Sequence, residues 1–262
     1  MTETLRGKNA IVYGGGGGIG AGVARRFAQD GMMVFLAGRT REPMEAVARD
    51  IKAAGGKADV AVLDALDESA VDAHSDMVAA KAGSIDVSFN LITRGDMQMV
   101  PLIDMATDDL LRAVDNGLRS NFITARAAAR HMIKQGAGVI LFLDSGSAKG
   151  TAPGMGSTGP ADAATDTLMR YLAAELGPSG IRVVGIYTAG AHLTDEQIAK
   201  VGGGGRVTAD MARAGIAQMS MLRRAPTVDQ VAATAAFLAS DEASGITASI
   251  VNVTAGLLAG PA

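Results

Sequence analysis

The residues with the plainest chemical meaning form the run Gly14-Gly15-Gly16-Gly17-Gly18-Ile19-Gly20 near the N-terminus. A turn this poor in side chains lets backbone N–H groups and the start of a following helix face a pyrophosphate, because no Cβ blocks the approach. An apolar run, Asn9–Tyr13, precedes it and a helical pattern follows, which is the context a phosphate-cradling glycine motif requires. The next apolar run ends at Gly38 and Arg39. An acidic residue there would hold a ribose 2′-OH, whereas an arginine suits a 2′-phosphate. Arg39 therefore favours NADP over NAD, its other reading being a solvated surface cation. Asp64 closes the third apolar run and reads equally as a capping residue of the loop Asp64-Ala65-Leu66-Asp67.

A second group gathers around Ser145, which follows the run Gly138–Leu143 and has Asp144 beside it and Lys149 four residues on. Arg94, Tyr187 and His192 also lie at or just past the ends of apolar runs, where α/β sheets bind their ligands. Asp144 could orient the Ser145 hydroxyl, but no histidine is placed to complete a triad, so serine hydrolase chemistry is not expected. The three histidines (His74, His131 and His192) are dispersed and there are no cysteines, which leaves no pattern for a zinc site and no disulfide.

The elements that must position these residues alternate. The short runs are Asn9–Tyr13, Met32–Ala37, Ala58–Leu63, Asp86–Asn90, Gly138–Leu143, Ile181–Tyr187 and Ser249–Val253. Several are continuously apolar, as expected of strands covered on both faces. Between them lie the amphipathic segments Ala21–Asp30, Pro43–Ala54, Glu68–Ala82, Asp108–Gln135, Ala161–Leu176 and Asp229–Ser240. That order predicts an α/β fold: a three-layer, doubly wound parallel sheet of about seven strands in a single domain. The stretch Ala189–Met221 has weak periodicity and carries Gly202-Gly203-Gly204-Gly205. It reads either as a mobile substrate lid or as a surface insertion.

Composition bounds the rest. The 262-residue chain is 48% hydrophobic and 19% charged, which is globular rather than disordered, and at 3% aromatic its core must be aliphatic. A net charge of -3 offers no positive surface for nucleic acid. No apolar run has the roughly 18 residues of a membrane helix, and no secretory segment precedes the first strand, so a cytoplasmic location without membrane partners is expected.

The glycine run, with Gly14, Gly18 and Gly20 as its fixed points, resembles the G-x-x-x-G-I-G turn of the short-chain dehydrogenase/reductase family. The resemblance extends along nearly the whole chain. Ile85–Asn90 is similar to that family's fourth strand, although the usual N-N-A-G reads Asn90-Leu91-Ile92-Thr93. Ala173–Val183 is similar to its helix-to-strand passage, and Phe237–Thr247 to its C-terminal signature. The resemblance implies a Rossmann domain in which Gly14, Gly18, Ile19, Gly20, Arg39, Asp64 and Asn90 hold the cofactor, with Asp64 touching the adenine. It also implies a small hydroxyl or carbonyl substrate, and a homodimer or homotetramer built on the helices Asp108–Gln135 and Ala161–Leu176. Ala163, Ala164, Ala173 and Ala174 would permit close helix approach there, though burial within the monomer explains them nearly as well.

The catalytic positions depart from the pattern. The family's Ser is Ser145, but thirteen residues on, where its Tyr belongs, stands Thr158, and four beyond that its Lys is Asp162. Gly117 falls where its Asn belongs, with Asn116 adjacent. The Pro-Gly after the sixth strand reads Thr188-Ala189-Gly190. A phenol of pKa about 10 can be lowered by a neighbouring Lys, whereas the alcohol of Thr158 lies beyond reach. Asp162 would oppose an oxyanion, while still able to accept hydrogen bonds from a nicotinamide ribose. These residues predict a nucleotide-binding relative with weak, altered or absent oxidoreductase activity. Two alternatives stand beside it. One is an active enzyme with a rebuilt site, using Tyr187 as its acid or working as a non-redox lyase or isomerase. The other is a non-catalytic binding or assembly partner without turnover, and with no bound cofactor if the glycine turn is merely structural.

Overall fold

The computed structural model describes residues 5–150, 152–200 and 207–259. Seven strands form one sheet: β1 (Asn9–Tyr13), β2 (Met33–Gly38), β3 (Lys57–Val62), β4 (Val87–Asn90), β5 (Gly138–Asp144), β6 (Ile181–Thr188) and β7 (Ile250–Val253). Their order is β3-β2-β1-β4-β5-β6-β7, and every neighbouring pair is parallel. The helices are α1 (Gly18–Gln29), α2 (Arg41–Ala53), α3 (Glu68–Ala82), α4 (Thr107–Gln135), α5 (Thr158–Leu176), α6 (Asp195–Ile198), α7 (Ala209–Met219) and α8 (Val228–Ala239).

Side chains alternate across the sheet with the period of two that a strand imposes. Ala10, Val12, Val34 and Leu36 join one core with residues of α1, α2 and α8. Ile11, Tyr13, Phe35 and Ala37 join the other with residues of α3, α4 and α5. This is the doubly wound arrangement expected from the strand runs. The strand order reverses between β1 and β4, whose last residues Tyr13 and Asn90 are register partners. The crevice at that switch point is where such sheets hold ligands.

Two helices begin three residues earlier than periodicity predicts. Helix α1 starts at Gly18 rather than Ala21, and α5 at Thr158 rather than Ala161. The opening residues of both are rich in glycine or proline and carry little apolar signal, so the pattern is silent where the backbone has already turned helical. For α5 this matters, because Thr158 becomes its first residue and Asp162 faces inward one turn later.

The stretch 189–221 is not structureless. Thr194 and Gln197 form a capping box that starts α6, and the Asp195 carboxylate accepts a hydrogen bond from the Ala209 amide at 2.6 Å, joining α6 to α7. Arg213 donates to the Leu193 carbonyl at 2.9 Å. The Gly202–Gly205 run lies outside the described residues. Among the described residues no helix is long and apolar enough to cross a membrane.

Candidate active site

The glycine turn packs as tightly as its composition implies. Gly14 has φ +74°, and a Cβ there would stand 2.5 Å from the Leu91 carbonyl oxygen on the loop after β4. A Cβ on Gly20 would stand 2.2 Å from the Gly14 carbonyl oxygen. Gly17, the N-cap of α1, supplies no side-chain acceptor, and the first turn carries no acidic residue. The uncapped amides at Gly18, Ile19 and Gly20 therefore suit an anion, and the residues present fit the diphosphate of a dinucleotide.

The other cofactor candidates have identifiable surroundings. Arg39 is exposed just past β2 and makes no ion pair among the described residues. The Asp64 carboxylate accepts from the Leu66 amide at 3.0 Å, while Asp67 caps α3 through the Ala70 amide at 3.1 Å. Asn90 is buried, donating to the Ser120 hydroxyl at 3.0 Å and to the Asn121 side-chain Oδ1 at 3.1 Å, and accepting from the Ile92 amide at 3.2 Å. It ties the end of β4 to α4. Ser120 and Asn121 carry no motif and were invisible to sequence reasoning.

At the catalytic positions the structure contains an ion cluster. Asp162 is fully buried, and one of its oxygens accepts from the Ser145 hydroxyl at 2.6 Å and from the Ser147 amide at 2.9 Å. Its other oxygen accepts from Arg94 at 2.9 Å. Arg94 also donates to Asp144 at 2.8 Å and, through two nitrogens, to Asp96 at 3.3 and 2.8 Å. The aliphatic stem of Arg94 crosses the space that the family's Asn side chain would need, since a Cβ on Gly117 would stand 2.6 Å from the Arg94 Cδ. Asn116 braces the same loop by donating to the Arg94 carbonyl at 3.0 Å.

The electrostatics follow from one cation among three carboxylates. Burial pulls the Arg94 pKa down, but Asp96, Asp144 and Asp162 outweigh it and hold the guanidinium firmly charged. Asp144 is pushed well above the usual carboxylate range by burial first and by Asp162 second, with Arg94 opposing.

These contacts correct three expectations. The Ser145 hydroxyl is oriented by Asp162, not by its neighbour Asp144, which is spent on Arg94. Asp162 has no free oxygen to offer a ribose, because both are occupied inside the protein. Tyr187 is a poor substitute acid: its hydroxyl donates to the buried Asp166, and burial, then Asp166, Asp144 and Asp162, raise its pKa, the reverse of what proton donation near neutrality needs.

Thr158 is buried, and its hydroxyl accepts from the Gln98 amide group at 2.9 Å. Ser157 beside it accepts from the Met97 amide at 2.9 Å, stitching the loop after β4 to the start of α5. Lys149 is exposed, as a solvated loop residue would be. The histidines stay apart: His74 is buried, with its pKa lowered to about 4 by burial, His131 pairs with Asp76 at 2.9 Å, and His192 lies against Gly18. No cluster of three metal-ligating side chains occurs among the described residues.

Comparison with known proteins places this geometry in context. Residues 15–258 match the family model described as Enoyl-(Acyl carrier protein) reductase. The chain is 32% identical over 258 residues to the short-chain reductase protein NovJ of Streptomyces niveus, covering 94% of this chain and 92% of that protein. It is 31% identical over 252 residues to 7alpha-hydroxysteroid dehydrogenase of Escherichia coli strain K12, covering 96% and 94%. A solved 7 alpha-hydroxysteroid dehydrogenase, in complex with NADH and 7-oxo glycochenodeoxycholic acid, superposes with a TM-score of 0.86 at 31% identity over 97% of this chain and 96% of that one. An NAD+-bound xylitol dehydrogenase superposes with a TM-score of 0.87 at 27% identity over 96% and 99%.

Proposed function

From the premise that the chain belongs to the short-chain dehydrogenase/reductase family, we propose that it binds a nicotinamide dinucleotide on the Gly14–Gly20 turn, NADP(H) in preference to NAD(H), and that the proton relay of its relatives has become a structural ion cluster. A bound dinucleotide would supply hydride exchange with a hydroxyl or carbonyl carbon. The chain's part in such a reaction is to hold and move the accompanying proton, and here that part is missing.

The observation that carries the reading is the Ser145–Asp162 hydrogen bond of 2.6 Å, with Asp162 itself fixed by Arg94. A serine that assists carbonyl reduction must aim its proton at the substrate oxygen. This serine's proton is held by a buried carboxylate, so donating it to a substrate would break a charge-assisted bond. Thr158 cannot take over, since an alcohol does not titrate near neutrality. Turnover of standard ketones is accordingly weak or absent, whereas the turn that would hold the cofactor keeps its form.

The NADP(H) preference rests on Arg39, exposed at the end of β2 and free of internal carboxylates. Calorimetric titration with NADPH, NADP, NADH and NAD tests both parts. NADPH is expected to bind at micromolar affinity, and Arg39→Ser to weaken NADPH about tenfold or more while leaving NADH within threefold, the pattern of one lost phosphate contact. Equal effects on both would remove Arg39 as the phosphate reader, and no binding by any of the four would remove the cofactor.

A second reading concerns assembly. Leu111, Leu118 and Phe122 form one exposed stripe along α4. On α5 Tyr171 is 67% exposed, and Ala163 and Ala174 face outward rather than inward. This apolar surface supports a homodimer or homotetramer through α4 and α5. Sedimentation at micromolar concentration is expected to show dimer or tetramer, with Phe122→Glu shifting the population to monomer. Monomer alone in the wild type would end this reading.

A further inference from the structure

The segment after β6 returns over the glycine turn. Ala191 packs with Ile19 against the core beneath α1, and the next residue, His192, lays its ring on Gly18. A Cβ built on Gly18 would meet the His192 Cδ2, Cγ and Nε2 atoms at 2.1, 2.2 and 2.2 Å. The three near-equal distances lay the face of the imidazole over the first residue of α1, where the uncapped helix amides begin. No hydrogen bond engages the His192 ring among the described residues. The turn itself is glycine from Gly14 to Gly18 and contributes no hydroxyl or other polar side chain.

An anion on those amides would lie beside an imidazole with an unused N–H. Either neutral tautomer of histidine carries one N–H donor, and the cation carries two. No acidic residue in the first turn of α1 competes for it. We infer that His192 is a diphosphate-binding residue, an imidazole reaching across from the far wall to give the side-chain donor that the all-glycine turn lacks. The inference rests on the reading that a dinucleotide occupies this turn. It assigns His192 a positioning role towards the cofactor, distinct from that of Arg39.

Two ligands separate the cases. ADP-ribose keeps the diphosphate without the nicotinamide, and adenosine 2′-monophosphate keeps the adenine and 2′-phosphate without the diphosphate. In calorimetric titrations His192→Ala is expected to weaken NADPH and ADP-ribose by the same factor, on the order of tenfold, as for one lost hydrogen bond to an anion. Adenosine 2′-monophosphate should be unchanged. His192→Gln, which keeps an N–H donor, should recover part of the loss, and it also covers the case of an unfolded alanine variant. Unchanged or tighter binding of ADP-ribose by His192→Ala overturns the inference while leaving the cofactor reading intact. Failure of the wild type to bind either diphosphate ligand overturns both. The contact has a ligand-free check as well: Gly18→Ala should lower the melting temperature of the apo protein, and His192→Ala in the same chain should reverse that loss. Additive losses in this cycle would also overturn it.

Discussion

Arg94→Met is expected to cost about 3–5 kcal/mol of folding stability, the range for removing one partner of a buried, hydrogen-bonded ion cluster. The arginine is 13% exposed at its side chain, Asp144 4% and Asp162 0%, so solvent screens little of the interaction. Methionine keeps the apolar stem and most of the volume, which isolates the charge from the packing. Without the guanidinium, Asp144 and Asp162 are left buried against each other with no ion-pair partner among the described residues.

The pH dependence gives this result a sign. The Asp144 pKa is already raised in the folded protein by burial and by Asp162, with Arg94 holding it down. A carboxyl whose folded pKa exceeds its unfolded value contributes stability that is present below the unfolded value, about 3.9, and lost as pH rises through the folded value. Removing Arg94 lifts that folded value further, so the variant's deficit should be largest near neutrality and shrink as the pH falls towards 5. Urea unfolding of both proteins at pH 7 and pH 5 measures it. A deficit below about 1 kcal/mol, the size of a surface pair, or one that does not change with pH, would show that the cluster does not hold the site together.

Much of this protein was legible in its residues because strands and glycine turns advertise themselves. The parallel sheet announced itself in short, fully apolar runs separated by amphipathic stretches. The glycine turn could be placed because it stood between the first strand and the first helix. The losses at Thr158 and Asp162 could be read from spacing to Ser145 alone. What replaced them could not. Arg94 pairs with residues up to 68 positions away, and nothing local marks Gln98 as the partner of Thr158 or Ser147 as a partner of Asp162. Periodicity cannot show that the stem of Arg94 fills the space beside Gly117, since that is a coincidence of separate elements in space. The reversed burden of Asp144 and Asp162 has the same origin: both carboxylates end near one serine, and only the fold decides which of them takes its proton. The helix starts at Gly18 and Thr158 escaped because glycine and proline weaken the helical signal even where the chain has turned.

Ser145→Ala is the second large expectation, and its size lies in stability rather than rate. The hydroxyl donates to Asp162 at 2.6 Å and accepts from the Ser147 amide at 3.2 Å. Removing it takes a donor from a fully buried carboxylate, a loss on the order of 1–3 kcal/mol. Asp162 keeps Arg94 and the Ser147 amide, so the change should stay well below that of Arg94→Met. In a working relative the same substitution would strike at turnover, because the serine there polarises the substrate oxygen. On the proposed reading the residue has exchanged a chemical task for a structural one.

That exchange is the centre of the account, and NADPH oxidation by the wild type and Ser145→Ala over a panel of ketones, at equal saturation with cofactor, tests it most directly. The expected result is low or undetectable oxidation by the wild type and a change of less than tenfold in the variant, alongside retained NADPH binding by both. Rapid NADPH oxidation with any ketone by the wild type, abolished in Ser145→Ala, would mean that the serine still gives its proton to substrate, and would contradict the account.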